Sequence, residues 1–293
     1  MTKPVECAGA AYDVAVIGGG PGGAAPAAEP GALVRDRLPV GRCVALIPAF
    51  NEAQTVADLI RRVRAQLPEV IVVDDGSRDA TAAQVRRLDV RLVRHGENAG
   101  KGASLIDGLR VAREAGFEAA VTLDADGQHR ASDIPRLLRH AGARTLVLGS
   151  RVHDTARMPR VRRIANRIAG FFISWAAGRR IGDTQCGLRV YPTDLPAALD
   201  LPARRFGRVF ESEVLIEAAR RGWEIVEVPV PAVYPARAAR HSHYRPAVDT
   251  LAIAGMVTGK LLARGLDPAA LLRVLRTDRR AVTAAPASSP QKS

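Results

Sequence analysis

From Cys43 onward the chain alternates between two rhythms of apolar and polar positions. "CVALIPAF" is a short apolar run of the buried-strand kind. "AQTVADLIRRVRAQL" then sets Val56, Leu59, Ile60, Val63 and Leu67 at helical spacing. The rhythms repeat: the strand-like runs "EVIVVDD", "VRLVRH", "EAAVTLDAD" and "RTLVLGSR" alternate with the helix-like runs "RDATAAQVRRL", "GKGASLIDGLRVAREAG" and "ASDIPRLLRHA". This alternation predicts an α/β chain with a Rossmann-like, mostly parallel sheet flanked by helices on both faces. Ligands of such sheets sit at the carboxyl ends of the strands. Polar residues fall at those ends: Asn51 and Glu52, Asp74 and Asp75, Asp124 and Asp126, Ser150 and Arg151.

The second half is less regular. A helix is expected over 160–177, followed by "DTQCGLRVYP", a helix near 210–221 and the strand "WEIVEVPV". A basic loop, "RAARHSHYRP", leads to a mildly amphipathic helix near 247–264. The tail "AVTAAPASSPQKS" has the composition of a disordered segment. The expected organisation is an appendage at 1–41, a main domain at 42–235, a basic loop and amphipathic helix at 236–278, and a tail at 279–293.

The appendage carries "YDVAVIGGGPGGAAPAAEPGALV" at 12–34. An apolar run at 14–17 precedes Gly18, Gly20 and Gly23, which fit the G-x-G-x-x-G of a dinucleotide-binding turn. The residues after Gly23 break that pattern. Pro26, Pro30 and Gly31 interrupt the helix. Residues 32–34 come too early for a crossover of about 10–12 residues. Asp36 comes early for a ribose-binding acid, expected roughly 20 residues on. Only 19 residues separate Gly23 from Cys43, and a flavin domain does not fit there. Residues 1–41 are read as a remnant of a flavoprotein start or a mis-chosen start site, and no FAD is expected.

Composition narrows the partners. A net charge of +13 favours anionic ones: phosphates, nucleotides or an anionic membrane surface. Aromatic content of 4%, with no zinc finger or RNA-binding signature, argues against nucleic acid. Cys7, Cys43 and Cys186 are scattered and odd in number, which predicts neither disulfides nor a metal cluster and points to a reducing cytosol. No signal peptide is read at the start, and no apolar run of about 18 residues predicts a transmembrane helix.

"LDADGQH" is the most informative motif. A strand delivers Asp124 and Asp126 two residues apart, with Gln128 two further on. Oxygen ligands turning off a strand end can converge on Mg²⁺ or Mn²⁺ beside substrate phosphates. The cation would neutralise charge on a diphosphate leaving group. The plainer alternative is a solvated acidic turn. In "VVDDGSRDAT", Asp74 and Asp75 can accept from ribose hydroxyls and a base N–H, while Ser77 or Asp79 can cap the next helix. In "IPAFNE", Asn51 and Glu52 can face the same nucleotide or serve the turn. Lys101, in "NAGKGAS", suits an anionic ligand or an ordinary helix start. In the helix at 160–177, Arg160, Arg162, Arg163 and Arg167 crowd one end, beside a stripe of Val161, Ile164, Ile168, Phe171, Phe172 and Trp175. That arrangement suits an anionic interface, or a core helix with a solvated arginine face.

Taken in order, "IPAFNE", "VVDDGSRDAT", "NAGKGAS", "TLDADGQH" and "GSR" resemble the family 2 glycosyltransferases of GT-A fold, over roughly residues 42–235. "DTQCGLRVYP" is similar to the branch that makes polyprenyl- or dolichyl-phosphate sugars. The resemblance implies an inverting, metal-dependent hexosyltransferase. Its donor would be a nucleotide-sugar, with UDP-glucose first, and its acceptor a polyprenyl phosphate. A saccharide or small-metabolite acceptor is the alternative. It implies that Glu52, Asp74 and Asp75 bind the donor nucleoside, with Asn51 beside them. Asp124, Asp126 and Gln128 would hold Mg²⁺ or Mn²⁺ and the diphosphate. Arg151 would approach a phosphate, and Lys101 and Arg189 join the substrate-binding set. Asp183 would lie on the acceptor side, as a general base for a hydroxyl or a positioning group for an already anionic phosphate. Arg240 and Ser242 fall in the loop that closes over the donor in relatives, although "RHSHYR" departs from the glycine- and lysine-flanked serine usual there. The expected location is cytoplasmic, peripheral at the inner face of the membrane. An oxidoreductase, a nucleotidyltransferase and a basic nucleic-acid-binding protein are the rivals from other classes.

Overall fold

In this computed structural model the described residues are 5–7, 10–15, 42–154, 160–201, 209–233 and 246–277. Along the chain they form β1 (Val5–Cys7), β2 (Ala10–Ala15), β3 (Cys43–Ala49), α1 (Val56–Arg64), β4 (Val70–Asp74), α2 (Thr81–Arg86), β5 (Arg91–Arg94) and α3 (Lys101–Glu114). Then come β6 (Ala119–Thr122), a 3₁₀ turn at Ala131–Asp133, α4 (Ile134–Leu138), β7 (Thr145–Ser150) and α5 (Arg160–Ala177). The last elements are β8 (Arg189–Pro192), α6 (Leu195–Ala198), α7 (Val209–Arg220), β9 (Glu224–Pro229), α8 (Pro246–Leu262) and α9 (Pro268–Arg276).

The strands form one sheet in the order β1-β2-β5-β4-β3-β6-β8-β7-β9. From β3 to β9 only β8 runs against the others, pairing antiparallel with β6 and β7. The remaining pairs there are parallel. Burial explains the apolar runs. In β3, Cys43, Ala45, Ile47 and Ala49 pack with α1, α2 and α4 on one face, while Val44 and Leu46 pack with α3 on the other. A strand covered on both faces has no solvent side to alternate with, so it reads as continuously apolar.

β2 answers the dinucleotide question in part. It pairs antiparallel with β5, matching Val14 to Val93, and antiparallel with β1. A dinucleotide turn requires its strand to enter a parallel β-α-β crossover; β2 instead extends the edge of the sheet as a hairpin. The three glycines, the basic loop with Arg240 and Ser242, and the tail lie outside the described residues.

Candidate active site

The sheet order decides which strand ends meet. β4, β3 and β6 are neighbours, so Asp74, Asn51 and the Asp124 turn emerge side by side. Because β8 is antiparallel, the chain enters it at the end where β6 leaves, which brings the 183–187 segment to Asp124. The approach is close: Thr122 Oγ1 donates to Gly187 O at 2.9 Å, and a Cβ at Gly187 would collide with the Asp124 carboxylate.

Asp124, Asp126 and Glu52 form the acidic centre. Burial, then the Asp124 charge, lifts the Asp126 carboxyl above its ordinary value. Its Oδ1 accepts from Gln128 N at 2.9 Å. Burial lifts Glu52 as well; the Thr55 hydroxyl opposes this, and the charges of Asp126, Asp79 and Asp124 reinforce it. This crowding of negative charge is what a divalent cation relieves, and the all-oxygen donor set suits Mg²⁺ or Mn²⁺. Among the described residues, no three acidic, His or Cys side chains converge as a ready-made metal cage.

Lys101 turns inward. Its Nζ lies 2.5 Å from Asp124 Oδ1 and 3.1 Å from Glu211 Oε1, joining α3 and α7 to the acidic turn. His129 Nε2 stands 3.7 Å from the other Asp124 oxygen. Lys101 is thus a cationic brace for Asp124.

Asp183, expected on the acceptor side, is locked to Arg151. Arg151 Nε donates to Asp183 Oδ2 at 2.8 Å and its Nη2 to Oδ1 at 3.1 Å. The backbone N–H groups of Arg151 and Gln185 add bonds of 3.0 Å each. Burial works against the Asp183 charge, but the Arg151 guanidinium and these bonds outweigh it and hold the carboxyl at about 2. Glu227 on β9 fixes the loop from behind, accepting from Gly182 N at 2.7 Å and Asp183 N at 3.1 Å. A general base works best when it titrates near the working pH; a carboxyl held this low and gripped by a guanidinium has the geometry of a positioning residue. The Cys186 thiol, buried and lifted to about 11, is no nucleophile.

Arg189 departs from its expected place. It is 1% exposed. Its guanidinium donates to Cys186 O, Thr184 O, Glu211 O and Tyr191 Oη at 2.7–3.2 Å. It ties the 184–186 turn to α7 and presents no face to a substrate.

Asp75 is also committed internally. Its carboxylate accepts from Ala99 N and Gly100 N at 2.8 Å and meets His95 Nδ1 at 2.7 Å. Asp74 Oδ1 accepts from Ser77 N at 3.1 Å, whereas its buried Oδ2 has no aligned hydrogen-bond donor, with Arg94 Nε 3.3 Å away. Arg94 also lines a concavity of about 310 Å³ with Phe50, Asn51, Ser77, Arg78 and Asn98. Asn51 sits in the left-handed region at φ 55, which asparagine tolerates. Its N–H donates to Ser77 Oγ and its Oδ1 accepts from Arg78 N, both at 2.9 Å. Gly76, at φ 69, lets the wall approach Glu97, where a Cβ would collide with backbone.

His129, Glu211 and Glu227 were not singled out from sequence. Glu227 did leave a trace there, as an acid inside the apolar run "EIVEVPV".

Strand-end carboxylates beside a concavity on a mostly parallel, helix-flanked sheet are the arrangement of a GT-A fold. The solved glucosyl-3-phosphoglycerate synthase of Mycobacterium tuberculosis, in complex with Mn²⁺, UDP and phosphoglyceric acid, shares this fold at a TM-score of 0.55 and 23% identity, over 76% of this chain and 78% of that one. The "Glycosyl transferase family 2" model matches residues 44–191, and the chain belongs to that family. Among curated relatives, the undecaprenyl-phosphate mannosyltransferase of Micrococcus luteus is 33% identical over 205 residues, covering 64% of this chain and 82% of the relative. The UDP-N-acetylglucosamine–dolichyl-phosphate N-acetylglucosaminyltransferase of Methanococcus voltae is 30% identical over 214 residues, covering 64% and 84%.

Proposed function

We propose that the chain moves a hexose from a nucleotide-diphosphate donor to a polyprenyl phosphate, with inversion at the anomeric carbon. The observation that carries this reading is the Asp183–Arg151 lock. A hydroxyl acceptor must lose a proton as it attacks and needs a base near neutrality. A lipid phosphate is already anionic and needs only placement and charge balance. An aspartate held at about 2 by a bidentate guanidinium supplies placement. Both relatives, by their names, act on a lipid phosphate.

The donor nucleoside is assigned to the concavity between Asn51, Ser77 and Arg94, where the buried Asp74 oxygen offers an acceptor. Asp124, Asp126 and Gln128 would hold Mg²⁺ or Mn²⁺, which supplies charge neutralisation at the diphosphate leaving group. Lys101 keeps Asp124 in place, and Glu52 adds negative charge beside the pair. Arg240 and Ser242 are assigned to closing over the donor. The sugar differs between the two relatives, so the donor is proposed as a nucleotide-hexose, UDP-glucose being the first to assay. The chain would work at the inner face of the membrane; no helix among the described residues is long and apolar enough to cross it.

The test is transfer of labelled sugar from UDP-glucose and, in parallel, GDP-mannose to polyprenyl phosphate with Mg²⁺ or Mn²⁺. Label entering the organic phase, and lost in Asp126→Asn, supports the reading. Label moving only to water-soluble sugars or metabolites overturns the acceptor assignment.

A further inference from the structure

A concavity of about 370 Å³ lies away from the acidic centre, where the end of α5 meets α9. It is lined by Gly178, Arg179, Arg180, Arg273, Arg276 and Thr277, so four of its six residues are arginines. Arg273 Nε donates to Gly178 O at 3.2 Å, which holds α9 against the turn. The acid at the head of α9, Asp267, accepts from Arg220 Nη1 at 2.7 Å and caps α9 through Ala270 N at 3.0 Å. The pocket lining itself contains no carboxylate.

The surroundings are apolar and outward-facing. Ile164, Ile168 and Phe172 recur every fourth residue along α5, from 56% exposed at Ile164 to 42% at Phe172, and so share one helix face. The Phe172 ring lies 6.2 Å from that of Trp175, and Trp175 Nε1 donates to Leu266 O at 2.9 Å. Leu266 and Leu262 are themselves exposed, as are Leu272 and Leu275 beside Arg273 and Arg276. Exposed apolar side chains interleaved with guanidinium groups match a bilayer surface, whose acyl boundary takes the former and whose phosphates take the latter. Four arginines lining one hollow favour a phosphate over a diffuse negative potential.

We propose that the hollow of Arg179, Arg180, Arg273 and Arg276 takes the phosphate headgroup of an anionic bilayer lipid, seating the stripe of Ile164, Ile168 and Phe172 on the membrane. This extends the reading of a membrane-working enzyme and rests on it for location only. Arg180 precedes Asp183 by three residues, so at most about 11 Å of chain separates the hollow from the acceptor side of the site. A lipid held here brings the bilayer to that side, while the carboxylate turn remains on its own strand end.

The experiment is sedimentation of the full chain with vesicles of phosphatidylcholine containing phosphatidylglycerol and no polyprenyl phosphate, so that failure to dock stays separable from failure to transfer. Binding to these vesicles and not to pure phosphatidylcholine is expected. The Arg179→Gln/Arg276→Gln variant should bind about 25-fold more weakly, about five-fold per arginine, with its thermal midpoint unchanged. Arg62→Gln/Arg64→Gln removes two charges from α1 on the opposite face of the sheet and should leave binding within about two-fold of the parent. Ile164→Asn/Ile168→Asn should weaken binding without changing its salt dependence. Equal losses from the α1 and pocket variants would reduce the effect to net charge and overturn the proposal. So would full binding by the pocket variant. A thermal midpoint raised by inorganic phosphate, and abolished in the pocket variant while vesicle binding persists, would assign the hollow to a soluble phosphate instead.

Discussion

Gly187→Ala probes the site without replacing any charged residue. A Cβ built at Gly187 meets Asp124 Cγ at 2.8 Å and Oδ1 at 2.9 Å, with Oδ2 closer still. All the carboxylate atoms are thus inside van der Waals contact, and the group must retreat by roughly 1 Å. It cannot retreat freely, because Lys101 Nζ holds Oδ1 at 2.5 Å. Overpacking of this kind costs about 1–3 kcal/mol of stability, a loss of several degrees in a chain of this size. The effect on rate is larger, since a displacement of about 1 Å at a reacting centre costs on the order of 100-fold. Initial rates of sugar transfer, measured across a Mn²⁺ titration and beside a thermal melt, separate the two. The expected result is kcat/KM down about 100-fold, a raised half-activating Mn²⁺ concentration and a fold that persists. Activity within about three-fold of the parent, at unchanged metal dependence, would refute the assignment of Asp124 to the reacting centre.

Asp183→Asn leaves Arg151 buried without its counter-charge and should cost about 3–5 kcal/mol in urea unfolding. In the parent, the Asp183 carboxyl lies below its ordinary 3.8, at about 2. Its contribution, roughly 2 kcal/mol, is therefore present above pH 3.8 and lost as pH falls through 2, a decline that the variant should not show. His95 behaves oppositely. Burial disfavours its charge, but Asp107 and Asp75 raise it from 6.5 to about 9. Its stabilisation is full below pH 6.5 and lost as pH rises through 9, so the thermal midpoint should fall over that window in the parent and stay flatter in His95→Gln. Chelation with EDTA should abolish transfer while leaving the circular dichroism unchanged, and added Mn²⁺ should restore it, because the acidic turn is built on the sheet rather than on the cation.

The parallel strands and their helices were legible because each is continuously apolar or helically periodic. β8 was not, since "RVYP" is four residues long and begins on a buried arginine whose charge mimics a surface position. α9 carries the usual grammar of a helix start in its sequence, where Asp267 caps it and Pro268 opens it. The gathering of polar residues at one end of the sheet was readable from their strand-end positions. The partners of those residues were not. Lys101, Asp75 and Arg189 look like ligand contacts in sequence, yet they brace Asp124, the 95–100 loop and the 184–186 turn. Which charge meets which depends on the order of the strands in the sheet, including the antiparallel insertion of β8 between β6 and β7, and local spacing holds no record of it. Glu211 and Glu227 escape a reading of local spacing for the same reason, as each reaches the site from an element far along the chain.

The most direct test of the central claim offers the enzyme polyprenyl phosphate and polyprenol of equal chain length, with one labelled nucleotide-hexose and Mn²⁺. If Asp183 only positions an acceptor that is already ionised, label should pass to the phosphate, with Asp126→Asn inactive, and polyprenol should receive none. Comparable transfer to polyprenol would mean that a base operates at this site, contradicting the role given to the Asp183–Arg151 pair.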